Sequence, residues 1–185
     1  MILNTRPTVL PAACERCGIC AAECPRGAIH IPGLEPHDPP AEITPAASTT
    51  APRLTAFCCS RSAALAARSA ETLDRGGLTL VEVPCAGSIS PQMLLAPFGR
   101  GAEGVLVMTC HDENCHSREG RRFAHRRAEQ TADFLRLSGL GGDRIKIVSL
   151  AANMASEFTQ AVADFRGTLL TLRRQGDSSH DEQRR

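Results

Sequence analysis

Nine cysteines are the groups in this 185-residue chain best suited to chemistry. Four of them, Cys14, Cys17, Cys20 and Cys24, fall within eleven residues, CERCGICAAEC, followed by Pro25. Their spacing is C-x2-C-x2-C-x3-C-P. Of the other five, Cys58, Cys59, Cys85 and Cys110 end or follow short apolar runs, and Cys115 follows Cys110 after four polar residues. The N-terminus, MILNTRPTVLPAAC, has no apolar stretch of signal-peptide length, so a reducing, cytoplasmic setting is expected. In such a setting, thiols in an odd number point to metal ligation or redox chemistry rather than disulfides. Buried cysteines acting as small hydrophobes would not crowd four into eleven residues.

The first group has the spacing of the bacterial ferredoxin run. Three thiolates on a tight loop can cap three irons of a cubane. Gly18 lets the backbone approach the sulfides, and Pro25 fixes the direction of the fourth cysteine. The following RGAIHI, Arg26–Ile31, resembles the strand that closes half of a ferredoxin. In two-cluster ferredoxins the fourth cysteine of each run serves the other cluster. Only one run is present, so three candidates stand for the fourth ligand: Cys24 itself, a cysteine of another polypeptide, and Cys58. A zinc knuckle is the alternative for this segment.

The second group depends on the elements that deliver it. Gly104–Thr109 is a short apolar run bounded by glycine and cysteine, the signature of a strand buried on both faces. It leads into Cys110 and, after HDEN, Cys115. Arg53–Phe57 leads into Cys58 and Cys59, and Leu78–Val83 leads through Pro84 into Cys85. Open α/β sheets bind ligands at the carboxyl ends of their strands, so these thiols would meet there. Helices are expected at Ser60–Arg75, from Pro91 (capped by Ser90) to Gly101, at Ser117–Ser138 and at Asn153–Arg173, with a fourth strand at Arg144–Leu150. Ala124, Ala128, Thr131 and Leu135 are expected to face the sheet, and Met154, Phe158, Ala161, Val162, Phe165 and Leu169 fall on one face of the last helix. Four β-α units give an α/β fold, a small parallel four-stranded sheet with helices on both faces (flavodoxin-like), preceded by a short ferredoxin-like segment. Gly99, Gly101 and Gly104 spell G-x-G-x-x-G, but they follow a helix and open a strand, the reverse of a dinucleotide site. Four thiolates from three strand ends suit a [2Fe–2S] cluster, tetrahedral zinc or a [4Fe–4S] cluster, and a redox-active dithiol is a further reading.

The domains expected are a cluster segment at 1–32, a proline-rich linker at 33–52, an α/β domain at 53–173 and a disordered tail at 174–185. A net charge of +1 suggests neither nucleic acid nor a membrane surface as partner, and no apolar run is long enough to span a bilayer. His111 and His116 flank cysteines and are candidates for hydrogen bonds to sulfur. Arg118, Arg121, Arg122, His125, Arg126 and Arg127 could complement an anionic thiolate-ligated group, dock an acidic partner, or form a solvated helix face.

FCCSRSAALAA, VPCAGSISPQMLLAPFGRGAEGVLVMTCHDENCHSREGRRFAHRR and RIKIVSLAANMASEF closely resemble the delta subunit family of methyl-viologen-reducing hydrogenase, over about Leu54–Leu172. That resemblance implies a [2Fe–2S] electron carrier, with Cys59, Cys85, Cys110 and Cys115 as ligands. It implies partners in a hydrogenase or formate dehydrogenase and in a heterodisulfide-reductase-like flavin and iron–sulfur complex. Many members have C-x-x-C at the first strand end, where this chain has Ser62 and an extra Cys58. The function expected is therefore a non-catalytic electron-transfer subunit carrying [2Fe–2S] and [4Fe–4S] clusters. The alternative is a zinc-stabilised or thiol redox-sensing interaction protein.

Overall fold

The computed structural model describes residues 9–32, 34 and 51–182. Most of the proline-rich linker expected at 33–52 lies outside the described residues. Four strands, β1 (Leu54–Cys59), β2 (Leu78–Val83), β3 (Gly104–Thr109) and β4 (Ile145–Ser149), pair in parallel in the order β2-β1-β3-β4. The central strands β1 and β3 are buried along their whole length, which explains their unbroken apolar sequences. The order reverses between β1 and β3, so the crevice at their carboxyl ends is the switch point where such sheets bind ligands.

Side chains alternate across the sheet with a period of two. Leu54, Ala56, Cys58, Leu106 and Met108 face one layer, built from helix α2 (Ala63–Ser69) and helix α5 (Ala155–Glu182). There Phe158, Val162, Phe165 and Leu169 of α5 pack against an alanine-rich α2, whose small side chains let the helices approach. Phe57, Cys59, Val105 and Val107 face the other layer, with Met93 and Leu94 of α3 (Pro91–Gly99) and Ala124 and Ala128 of α4 (Gly120–Leu137). A short helix, α1 (Ile19–Glu23), belongs to the first cysteine run and packs against the loop after β2.

Several boundaries differ from expectation, for local reasons. Helix α2 starts at Ala63 because the Ser60 amide continues the ladder to the Val83 carbonyl and its hydroxyl donates to the Pro84 carbonyl. It stops at Ser69, after which the Asp74 carboxylate accepts the Gly76 amide in a side-chain turn that competes with helix. Helix α5 runs on to Glu182, so residues 174–182, expected to be a disordered tail, continue the helix. Arg26–Ile31 forms no strand, since among the described residues no second half-ferredoxin lies beside it to pair with.

Candidate metal centre

Cys59 closes β1, Cys85 follows β2, Cys110 follows β3, and Cys115 follows the 3₁₀ turn at Asp112–Asn114. All four are buried and border one pocket at the carboxyl end of the sheet. Cys110 lies within hydrogen-bond reach of both Cys59 and Cys115. The Ser117 hydroxyl bridges the remaining pair, 3.1 Å from Cys85 Sγ and 3.5 Å from Cys115 Sγ. Backbone amides of Arg61 and Ala86 point at Cys59, that of Gly87 at Cys85 (3.4 Å), and those of Gly120 and Arg121 at Cys115. The buried Ser62 hydroxyl has no hydrogen-bond partner among the described residues, and it lies near enough to Cys59 to favour its thiolate.

These contacts divide the thiols electrostatically. The neighbouring Cys110 thiol and, after it, the nearby amides overcome burial to pull the Cys59 thiol down to about 5. Its bond to Cys59 and then burial push the Cys110 thiol well up. Burial pushes the Cys85 thiol up despite its Ser117 and Gly87 donors. Cys115 is also opposed by burial, yet Ser117 and the α4 amides bring it below the ordinary thiol value.

The arrangement fits a multi-atom group held by thiolates. Gly120, at the first turn of α4, leaves room for it: a Cβ there would stand 2.2 Å from Cys85 Sγ and 2.4 Å from Ser117 Oγ. Among the described residues, no three cysteine, histidine, aspartate or glutamate side chains meet at one point as a single ion would require. The four thiols instead ring a pocket, and backbone amides lie near Cys59, Cys85 and Cys115, the kind of surrounding that tunes thiolate-held metal centres. Helix α4 begins at Gly120, later than expected, because the Ser117 hydroxyl is engaged with the sulfurs and Arg118 adopts a left-handed φ of 58°. Arg16, between Cys14 and Cys17, is the other non-glycine residue at positive φ among those described. Strained backbone thus flanks both cysteine groups.

Cys58 points to the opposite face of the sheet, among Ala64, Ala67 and Leu80, and does not line this pocket. Burial pushes its thiol up to about 12. In the first run, Cys14 and Cys20 are exposed. Cys24 accepts the Ala28 amide at 3.2 Å, and that bond, followed by the Arg26 amide, lowers its pKa. Cys17 borders the pocket of the second group, a placement that its spacing did not reveal. His116 meets Glu15 at 2.6 Å rather than a sulfur. The arginines of α4 serve several ends: Arg121 donates to Ser149, Arg122 pairs with Glu119, and Arg126 and Arg127 both pair with Glu23.

Comparison with known proteins decides the family. A family model described as methyl-viologen-reducing hydrogenase, delta subunit, matches residues 54–172. The chain belongs to that family. A 4Fe-4S binding domain model matches residues 7–30, the stretch that holds the first cysteine run, and so supports an iron–sulfur cluster. The chain is 29% identical over 93 residues to an iron-sulfur subunit of the F420-non-reducing hydrogenase of Archaeoglobus profundus, covering 50% of this chain and 68% of that protein. The corresponding vhu iron-sulfur subunit of Methanocaldococcus jannaschii is 31% identical over 114 residues, 60% of this chain and 85% of that one. A component of the Ferredoxin:CoB-CoM heterodisulfide reductase of Methanosarcina mazei is 26% identical over 88 residues, 48% of this chain but only 11% of that protein. Among the described residues of this family member, no helix is long and apolar enough to cross a membrane.

Proposed function

We propose that this protein is a one-electron relay without bond-making chemistry of its own. In this reading Cys59, Cys85, Cys110 and Cys115 hold a [2Fe–2S] cluster, and the run Cys14, Cys17, Cys20 and Cys24 holds a [4Fe–4S] cluster. It passes electrons in the cytoplasm between a hydrogenase or formate dehydrogenase and a heterodisulfide-reductase-like flavin and iron–sulfur complex. The observation that carries the reading is the ring of four buried thiols supplied by three strand ends at the switch point. Iron–sulfur clusters supply reversible one-electron chemistry. The chain's part is to fix the sulfurs, exclude water, and aim amides of Arg61, Ala86, Gly87, Gly120 and Arg121 at them. Those dipoles favour the more negative, reduced state and so raise the potential. The names of the relatives, components of hydrogenase and of heterodisulfide reductase, support partners of this kind.

Anaerobically purified protein is expected to be brown, to contain iron and acid-labile sulfide, and to bleach reversibly with dithionite. Cys59→Ser should lose one paramagnetic signal of the reduced protein and Cys14→Ser the other. A colourless protein holding stoichiometric zinc would overturn the proposal.

A further inference from the structure

The first cysteine run does not trail from the α/β domain; three ties fasten it there, and each tie joins neighbours of cysteines from the two groups. The strongest is Arg127, whose side chain is only 3% exposed. Its Nη1 donates to the carbonyls of Gly87 (2.5 Å) and Ile89 (2.9 Å), in the segment that follows Cys85. Its Nε (3.2 Å) and Nη2 (2.5 Å) donate to Glu23 Oε1, next to Cys24. A buried guanidinium is costly unless its donors are paired, and here one fork spans both groups. The second tie is His116 to Glu15, at 2.6 Å, linking the neighbour of Cys115 to the neighbour of Cys14. The third is steric: Gly87 packs so closely on Ile19 and Gly120 that a Cβ would stand within 3 Å of both. Between these ties, Cys17 borders the same pocket as Cys59, Cys85, Cys110 and Cys115.

We propose that the two cysteine groups form one rigid two-centre conductor inside a single chain, with Glu23 and Arg127 as positioning residues and Cys17 as the side through which the centres exchange electrons. The inference rests on the relay reading above and adds an internal step to it. An external one-electron donor reduces one centre. That centre is then oxidised by one electron as the other is reduced by one, and no proton need accompany the transfer. Because tunnelling weakens steeply with distance, fixing the separation fixes the internal rate. A flexible tether would leave that rate to chance encounters.

The test uses the full chain, purified anaerobically and fully reduced with dithionite. Two centres held side by side should show mutual magnetic broadening and shortened spin relaxation. Glu23→Gln keeps the shape of the side chain but weakens both arginine bonds, and it leaves Arg127 bonded to Gly87 and Ile89. It should lose the coupling while iron and sulfide content stays unchanged. Amides of residues 14–31 should then exchange with solvent at least about tenfold faster than in the wild type, a readout that does not depend on the clusters. Arg127→Lys should do the same; if it sheds iron instead, Glu23→Gln decides. A wild-type spectrum equal to the sum of two isolated centres would overturn the proposal, as would coupling and protection that survive in Glu23→Gln. Absence of any reducible iron signal would instead overturn the relay reading, with the exchange measurement still reporting on the docking.

Discussion

At the scale of single residues, the adjacent pair Cys58 and Cys59 shows how little separates a candidate ligand from core filling. Successive side chains on a strand point to opposite faces, so one of two neighbouring cysteines must leave the pocket. Cys59 faces the other thiols and is drawn down to about 5; Cys58 lies in the apolar layer under α2 and is driven up to about 12. Replacing Cys58 by alanine should therefore leave the iron and sulfide content untouched. It should cost about 1 kcal/mol of stability through a small cavity, read as a lower denaturant midpoint. Loss of one centre's iron in Cys58→Ala would show that the facing is wrong. The sequence alone could name the pair but not choose between its members, because the choice depends on strand register, and the register is set by β2 and β3 together.

At the scale of elements, the start of α4 is where site and scaffold compete. Alanine is a better helix former than glycine by about 1 kcal/mol, so propensity alone would predict that Gly120→Ala stabilises. The Cβ would stand 2.2 Å from the Cys85 sulfur, so the sign reverses: a loss of about 1–3 kcal/mol and a drop in iron bound at the second group. Gly167, inside α5 with nothing within 4 Å of its Cβ position, is the matched control. Gly167→Ala should stabilise by about 0.5–1 kcal/mol with iron content unchanged, and thermal midpoints of the two variants should move in opposite directions. If both rise, α4 has room that the close approach of Cys85 denies. The same competition explains which boundaries could be read in advance. Strands β1, β2 and β3 were legible as apolar runs stopped by glycine, proline or cysteine, and the buried faces of α4 and α5 as three- and four-residue periodicities. Helix starts were less legible, because Ser60 and Ser117 spend their polar groups on the sheet ladder, a loop carbonyl and sulfurs rather than on caps. The strand expected at Arg26–Ile31 failed for a related reason: a strand needs a neighbour, and the described residues supply only half of the fold that would provide one.

At the scale of the whole molecule, carboxylates hold together segments that are far apart in sequence, and none of these pairings has a local signature. Glu23 meets Arg127 across 104 positions, Glu103 meets Arg173 across 70, and Asp74 meets Arg166 across 92. Each carboxyl is held below its ordinary value. For Glu23 the Arg126 and then Arg127 hydrogen bonds do this; for Asp74 it is the Gly76 amide, then Arg166. Glu103 is pushed up by burial, but the Arg173 guanidinium and the Arg53 amide, with Arg144 nearby, pull it further down. Depressed carboxyls are ionised in the folded chain at pH values where the unfolded chain has begun to bind protons. Their stabilisation is thus fully present at neutral pH and is lost as pH falls below the ordinary 4.5 of glutamate toward the folded values. Glu103 should dominate, since its side chain is 18% exposed against 35% for Glu23 and 70% for Asp74, where solvent screens the charge. It also ties the starts of β1 and β4 and helix α5 to the start of β3, through the Arg53 amide, its own carbonyl accepting from Arg144, and Arg173. Urea midpoints of wild type and Glu103→Gln should therefore converge as pH falls from 7 to 3, with the variant weaker at pH 7 and flatter in its pH dependence. Acid loss of bound iron lowers both curves alike and cancels in their difference. Parallel curves would mean that the Glu103 carboxylate contributes nothing to holding β1, β3 and α5 together, and that the apolar layer of Phe158, Phe165 and Leu169 carries that junction unaided.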